Sequence, residues 1–225
     1  MMNDPQIKEY LDLPFIKDLP EIIVRSLVNL SVFRSYIPGK MIIHQSEPCQ
    51  SAYLVLHGNV NIVCLSSNGR RYVLSNLGPG DWFNAITCLN FIEFNPASAV
   101  AMTPVKMLAI TCHNFRKLNS EAPEFSRKLM ENISDRTIHL TKKLEDLALL
   151  SVSGRVADFL LTHADNDGLI YWQCTQNDIA NRLGTVAEVV GRTLRTFADE
   201  GIIIMPERNC ILIKDFEGLR QKTLK

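Results

Sequence analysis

Glu188 and Arg192 place a carboxylate and a guanidinium four residues apart in the stretch TVAEVVGRTLRTF. Four residues is about one helical turn, so both groups leave the same side of a helix. The pairing suits the edges of DNA bases, because an Arg fork can donate to guanine O6 and N7 while Glu accepts from cytosine N4. The plainer alternative is an i,i+4 ion pair on a solvated face. At ~100° per residue Arg195 falls near the same side, and Val190, Leu194 and Phe197 fall almost opposite. Such a helix has one side to dock on its own domain and a polar side free to enter a major groove.

The segment just before it supplies a partner helix. Thr175 with Asp178 resembles an N-terminal capping box, with Asp in place of Glu or Gln. Ile179, Ala180 and Leu183 give that helix an apolar side, and Gly184 can close it in the left-handed region. Two short helices around a tight turn are a helix-turn-helix pattern. Gly191 inside the second helix costs about 1 kcal/mol relative to Ala, which implies close packing or close approach of a backbone there.

The 225 residues are 46% hydrophobic and 21% charged, values of a globular protein with ample core. No apolar run approaches the ~20 residues that cross a bilayer. The start MMNDPQIKEYLDLPF lacks a basic flank followed by an apolar segment, so a cytoplasmic protein with no membrane partner is expected. A formal net charge of zero counts against indiscriminate coating of nucleic acid but not against a specific reader. Cys49, Cys64, Cys88, Cys112, Cys174 and Cys210 are scattered without a CxxC pair, so most are expected to be small buried residues, with no metal site.

Residues up to about Leu30 look helical, with Pro5 and Pro20 suited to first turns and Leu19, Ile22, Ile23 and Leu27 forming an apolar side. From Phe33 to Ile110 the runs MIIH, SAYLVLHG, NVNIVCL, RYVLSNL and VKMLAI read as short strands, with Asn68-Gly69 as a hairpin signal. Many short strands at this spacing suggest a sandwich or jelly roll. From Pro123 the period is helical. Leu129, Ile133, Arg136, Leu140, Lys143, Leu147 and Leu150 alternate steps of four and three, a coiled-coil spacing that predicts a subunit seam; packing on the β-domain is the alternative. Ser153-Gly154 opens a further helix to His163. After the helix-turn-helix, apolar strands flank Pro206 to Asn209 as a wing, and Asp215 can cap a last helix. The expected organisation is α+β: a β-roll with N-terminal helices over 1–122, a central dimerisation helix over 123–152, and a winged helix-turn-helix over 153–225.

A glycine-punctuated β-roll, a long leucine-lined helix and a winged helix-turn-helix, in that order, resemble the cyclic-AMP receptor/fumarate-nitrate regulator family of bacterial transcription factors. The residues that carry the likeness are YIPGKMIIHQSEP, YLVLHGNV, LGPGDWF, LSVSGRVADFLL and GTVAEVVGRTLR. The resemblance implies a homodimer reading a palindromic operator on double-stranded DNA, with RNA polymerase as a partner and no enzymatic activity. It puts Glu188 and Arg192 on bases and makes Thr175, Gln176, Thr185 and Arg195 candidates for phosphate contacts. Family members carry a polar or basic residue just before the Glu. Ala187 stands there in this chain, so one contact is expected to be missing.

The effector pocket departs from the family pattern. Cyclic-nucleotide members follow Gly-Asp-x-Phe with Gly-Glu for the ribose, and later have Arg before Ser or Thr for the phosphate. Asn84-Ala85 and Asn95-Pro96 hold those places here, and Tyr72 to Val105 contains no Lys, Arg or His. A buried phosphate without a cation costs several kcal/mol, although Arg127 or Arg136 of the central helix could supply one. The expected effector is therefore a small molecule other than a cyclic nucleotide, or none. The candidate pocket is Phe83, Asn84, Ala85, Ile86, Asn95, Pro96, Ala97 and Ser98. No cofactor is implied. Heme, through His44, His57, His113, His139 or Cys88, and with it a gas- or redox-responsive regulator, is the alternative. A sensor or scaffold that has lost DNA binding is the competing class.

Overall fold

Alternation with a period of two organises the first part of the chain. In β3 (Ser51–His57), Ala52, Leu54 and Leu56 point into one buried cluster and Val55 into another. The antiparallel strand β8 (Val105–Thr111) repeats this, with Leu108 and Ile110 on one side and Val105 and Met107 on the other. Both faces of this sheet are therefore covered. Its remaining strands are β1 (Ser31–Tyr36) and β6 (Trp82–Phe83), in the order β1-β8-β3-β6. A second sheet holds β2 (Met41–Ile43), β4 (Val60–Leu65), β5 (Arg71–Leu77) and β7 (Ser98–Ala101), in the order β2-β7-β4-β5. The two sheets close on Val55, Val60, Ile62, Leu77, Phe83 and Met107. Gly58 turns β3 into β4 at φ 82, where an added Cβ would sit 2.2 Å from the Pro104 carbonyl oxygen, so only glycine fits.

This computed structural model describes residues 9–66, 71–171, 175–207 and 210–223. The chain divides into two units, Met1–Ile138 and His139–Lys225. The Asn68-Gly69 turn, Pro5, Cys174 and the tip residues Arg208 and Asn209 lie outside the described residues.

The outer face of the first sheet packs against α1 (Glu21–Asn29), α3 (Cys112–Glu121) and the start of α4 (Pro123–Leu149). Trp82 is the centre of this layer, with ring centroids 5.1 Å from Phe115, 5.4 Å from Phe15 and 5.9 Å from Phe125. Before α1 the expected helix is replaced by single turns over Tyr10 to Leu19. Pro14 and Pro20 explain it, since each disfavours helical backbone in the residue before it. Pro20 itself is the N-cap of α1 rather than part of its first turn, and Ile22 faces outward. The stretch between Phe83 and Val100 holds a short helix, α2 (Ala85–Leu89), and the start of β7.

The chain itself covers part of the expected seam of the central helix, while Leu140 within that seam is 40% exposed. Phe125 and Leu129 are buried and Ile133 packs on the same core, so this side is covered by the chain's own β-roll. Arg136 and Asn132, one turn apart, hold Trp82: Arg136 donates to its carbonyl, and Asn132 Oδ1 accepts from its N–H at 3.4 Å. Burial lowers the Arg136 pKa from its usual value, with Asp81 opposing. Farther along, Lys143, Leu147 and Leu150 are half-buried. The exposed stripe is instead Met130, Ser134, Thr137, Thr141, Leu144 and Ala148, also in steps of four and three, with Met130 69% and Leu144 67% exposed.

In the second unit, α5 (Val152–His163) is capped by Ser151, whose Oγ accepts from the Gly154 N–H at 3.1 Å, so Ser153 is not the cap. Three strands, β9 (Leu169–Tyr171), β10 (Ile203–Glu207) and β11 (Cys210–Ile213), pair in the order β10-β11-β9. The sequence reading anticipated two of these and missed β9, whose three residues are too few for a periodic signal. Asp215 caps the last helix, α8 (Phe216–Thr223), by accepting from the Gly218 N–H at 2.9 Å.

Candidate nucleic-acid interface

The capping box forms in full. Thr175 Oγ1 accepts from the Asp178 N–H at 3.2 Å, and Asp178 Oδ2 accepts from the Thr175 N–H at 2.8 Å. It opens α6 (Gln176–Leu183), which Gly184 closes in the left-handed region at φ 67. The Gly184 and Thr185 N–H groups both turn back onto the Ala180 carbonyl, so helix end and turn share one acceptor. Two residues on, α7 (Ala187–Asp199) begins at Val186, which has no side-chain oxygen to offer the first turn. An aliphatic N-cap is among the poorest choices and leaves first-turn N–H groups for an outside acceptor. Its type alone could have flagged it in the sequence.

Val190, Gly191, Leu194 and Phe197 bury one side of α7 in a core with Val156, Leu160, Ile179, Ile203 and Ile213. On the other side Glu188 and Arg192 stand out, their side chains 80% and 67% exposed, joined at 3.1 Å. Arg195 is exposed, and its Nε donates to the Gly191 carbonyl at 3.2 Å. Ala187, half-buried, occupies the first helical position.

The phosphate candidates are distributed unevenly. The Thr175 hydroxyl is already committed to Asp178 Oδ2 at 2.7 Å. Gln176 lies over α7: a Cβ on Gly191 would meet its Oε1 at 2.9 Å. Gly191 is thus explained by a neighbouring side chain and not by a backbone. Gly191→Ala is expected to leave the fold intact, to gain up to about 1 kcal/mol of helix propensity, and to displace the Gln176 amide. A thermal melt checks this; a lowered melting temperature would show that the contact tolerates no methyl.

Sequence reasoning missed Arg155. Its Nε donates to the Leu183 carbonyl at 2.9 Å and an Nη to the Leu150 carbonyl at 2.8 Å. One guanidinium thereby satisfies carbonyls at the C-terminal ends of α6 and α4, linking the helix-turn-helix to the segment that leaves the long helix.

In the β-roll, the residues at the nucleotide positions bond to one another. Asn84 Nδ2 donates to Asn95 Oδ1 at 2.8 Å, and Asn95 Nδ2 donates to the His44 carbonyl at 3.0 Å. Asn95 is only 4% exposed, and Phe83, Ala85, Ala97 and Ser98 are buried with it, while Ile86 and Pro96 face outward. Ser98 Oγ accepts from the Gln45 N–H at 2.8 Å. Of the two cations considered, Arg136 reaches Trp82 and Arg127 is paired with Glu131 on the surface. Asn95→Ala removes two hydrogen bonds, leaving Asn84 Nδ2 with Cys49 Sγ and the His44 carbonyl with the Glu47 N–H, at about 0.5–1.5 kcal/mol for each bond lost. Urea unfolding should show a lower midpoint at unchanged slope; an unchanged midpoint would mean that the amide pair contributes nothing.

The family model described as "Cyclic nucleotide-binding domain" matches residues 33–121, and that described as "Crp-like helix-turn-helix domain" matches residues 154–222. The chain is 29% identical over 195 residues to the CRP-like cAMP-activated global transcriptional regulator of Mycobacterium tuberculosis, covering 82% of this chain and 84% of that protein. Among solved structures it is similar to the c-di-GMP responsive global regulator CLP of Xanthomonas campestris, with a TM-score of 0.77 at 18% identity over 86% of this chain and 99% of that one. A CRP/FNR-family transcriptional regulator of Thermus thermophilus superposes with a TM-score of 0.69 at 23% identity over 85% and 98% of the two chains. At these identities the structural likenesses establish the fold.

Proposed function

The chain belongs to the cyclic-AMP receptor/fumarate-nitrate regulator (CRP/FNR) family of DNA-binding transcription regulators, and we propose that it reads a palindromic operator as a homodimer through Glu188 and Arg192. The observation that carries this is α7 itself: one side wholly buried, the other offering a carboxylate and a guanidinium one turn apart above an N-terminus without a side-chain cap. Thr185 and Arg195 border that side and supply phosphate contacts; Thr175 does so by giving up Asp178 and Gln176 by turning away from Gly191. RNA polymerase is the expected further partner, and the cytoplasm the expected place. Among the described residues no helix is long and apolar enough to cross a membrane.

Dimerisation uses the exposed stripe of α4, Met130 through Ala148. Arg155 couples that helix to the reading head, because both of its acceptors lie at helix ends that move when α4 shifts. Selection of bound sequences from random duplex tests the reading. A two-fold symmetric motif is the expected result, and equal retention of all sequences would refute it.

The effector is a small molecule other than a cyclic nucleotide. The Asn84–Asn95 amide pair supports this, since it offers neither a carboxylate for a ribose nor a cation for a phosphate. Cyclic AMP at saturating concentration is expected to leave the melting temperature unchanged, whereas a ligand at 100 times its Kd would stabilise by about 2.7 kcal/mol.

A further inference from the structure

Three cysteines remote in sequence meet in the β-roll. Cys49 lies just before β3, Cys88 in α2 and Cys112 at the start of α3, and their sulfurs all fall within 4.8 Å of one another. Cys88 and Cys112 are joined as a disulfide, and Cys49 stands beside it as a free thiol, its Sγ 3.9 Å from that of Cys88 and 3.8 Å from that of Cys112. The sequence reading left these cysteines scattered because no two share a short motif.

We propose that Cys49, Cys88 and Cys112, once the Cys88–Cys112 bond is reduced, form a three-thiolate site for one thiophilic divalent metal ion of the zinc class. A Zn–S bond is about 2.3 Å, so sulfurs around one ion lie about 3.8 Å apart in a tetrahedral site and about 4.0 Å apart in a trigonal one. Cys49 already stands at those separations from both partners. Bond cleavage frees the third edge of the triangle.

The donor set decides the class of ion. Among the described residues it is sulfur alone, with no carboxylate or imidazole, which selects soft and borderline metals over magnesium or calcium. Outer groups suited to thiolates are in place. Asn84 Nδ2 approaches Cys49 Sγ at 3.6 Å, as a donor that supports a metal-bound sulfur. Arg116 donates to the Cys88 carbonyl at 2.7 Å with its guanidinium 4.4 Å above the Phe91 ring. Its positive charge offsets the single negative charge that three thiolates leave on a divalent ion.

The chemistry balances in two steps. A dithiol reductant gives two electrons and two protons to the Cys88–Cys112 bond and leaves as its own disulfide. The ion then displaces three protons from three thiols, M2+ plus three SH giving one tris-thiolate anion and three H+. The oxidised chain keeps one of the three ligands and has no site. This makes metal loading conditional on the reducing state around the protein. The inference is independent of DNA binding, since every residue in it belongs to the first unit.

The test uses the full chain, reduced with a phosphine and freed of oxygen. Titration with Cd2+ is followed by sulfur-to-metal charge-transfer absorption, and Zn2+ stoichiometry by native mass spectrometry. One ion per reduced chain is expected, and none in the oxidised chain. Cys49→Ser lies outside the disulfide and spares it, and should weaken binding by more than about 100-fold, beyond the loss of an outer partner. Cys64→Ser, in β4 and remote from the cluster, should leave binding unchanged. Absence of the absorption band in the reduced wild type overturns the proposal. So does full binding by Cys49→Ser, or equal weakening by Cys64→Ser.

Discussion

Leu144→Lys is expected to convert the proposed dimer to a monomer and to remove most of its operator affinity. Leu144 sits toward the C-terminal end of the outer stripe of α4 with its side chain open to solvent, and the stripe runs from Met130 to Ala148 in steps of four and three. In a two-fold pair of such helices each knob meets its counterpart across the seam. Burying one leucine contributes about 1.5–3 kcal/mol, and symmetry counts it twice, giving about 3–6 kcal/mol. That is a rise of about 10^2–10^4 in the dimer dissociation constant, before adding the repulsion of two ammonium groups in one seam. The monomer itself should fold normally, because the replaced side chain touches no core. Sedimentation over a concentration series reads the shift, with circular dichroism confirming helix content. A dimer that persists at wild-type concentrations would move the interface elsewhere. Leu129→Lys is the contrast: it should unfold the first unit, since Leu129 is buried there.

That contrast also shows why periodicity alone does not locate a seam. Two stripes of the same helix, Leu129 to Leu147 and Met130 to Ala148, both advance in steps of four and three. Periodicity reports that a stripe is covered and says nothing of what covers it. The richer stripe is covered by the chain's own domain from Leu129 to Arg136 and opens to solvent at Leu140, while the sparser one, half serine and threonine, is exposed throughout. The reading head was legible for the opposite reason. Thr175, Asp178 and Gly184 act through bonds to residues within five positions, so their types alone specify a cap and a stop. The Ser151 cap was missed by two residues because Ser153 offers the same hydroxyl. Arg155 and the cysteine cluster were not legible at all. Arg155 acts on a carbonyl 28 residues away, and Cys49 meets Cys112 across 63 residues of sheet topology.

Arg192→Ala should leave stability nearly untouched and damage recognition severely. In the free protein the Arg192 guanidinium is shown bonded to the exposed Glu188, and an ion pair of this kind contributes about 0–1 kcal/mol. On DNA a two-pronged contact to guanine is worth about 1–3 kcal/mol of discrimination, and a dimer makes it twice, for about 2–6 kcal/mol. The loss should fall on cognate operator and spare random duplex, relaxing preference at one base pair of each half-site. Arg192→Lys separates this from a phosphate role. It keeps the charge and surrenders the fork, so a base reader loses specificity while a phosphate contact barely changes. If Arg192 only touched phosphate, Arg192→Ala would weaken all sequences alike and reduce the salt dependence by about one unit per site. Glu188→Ala completes the comparison. It frees Arg192 from its intramolecular partner, so nonspecific affinity should rise slightly while discrimination at the adjacent pair falls. Opposite movements of those two quantities are what a base-reading carboxylate requires and what a surface ion pair alone cannot give.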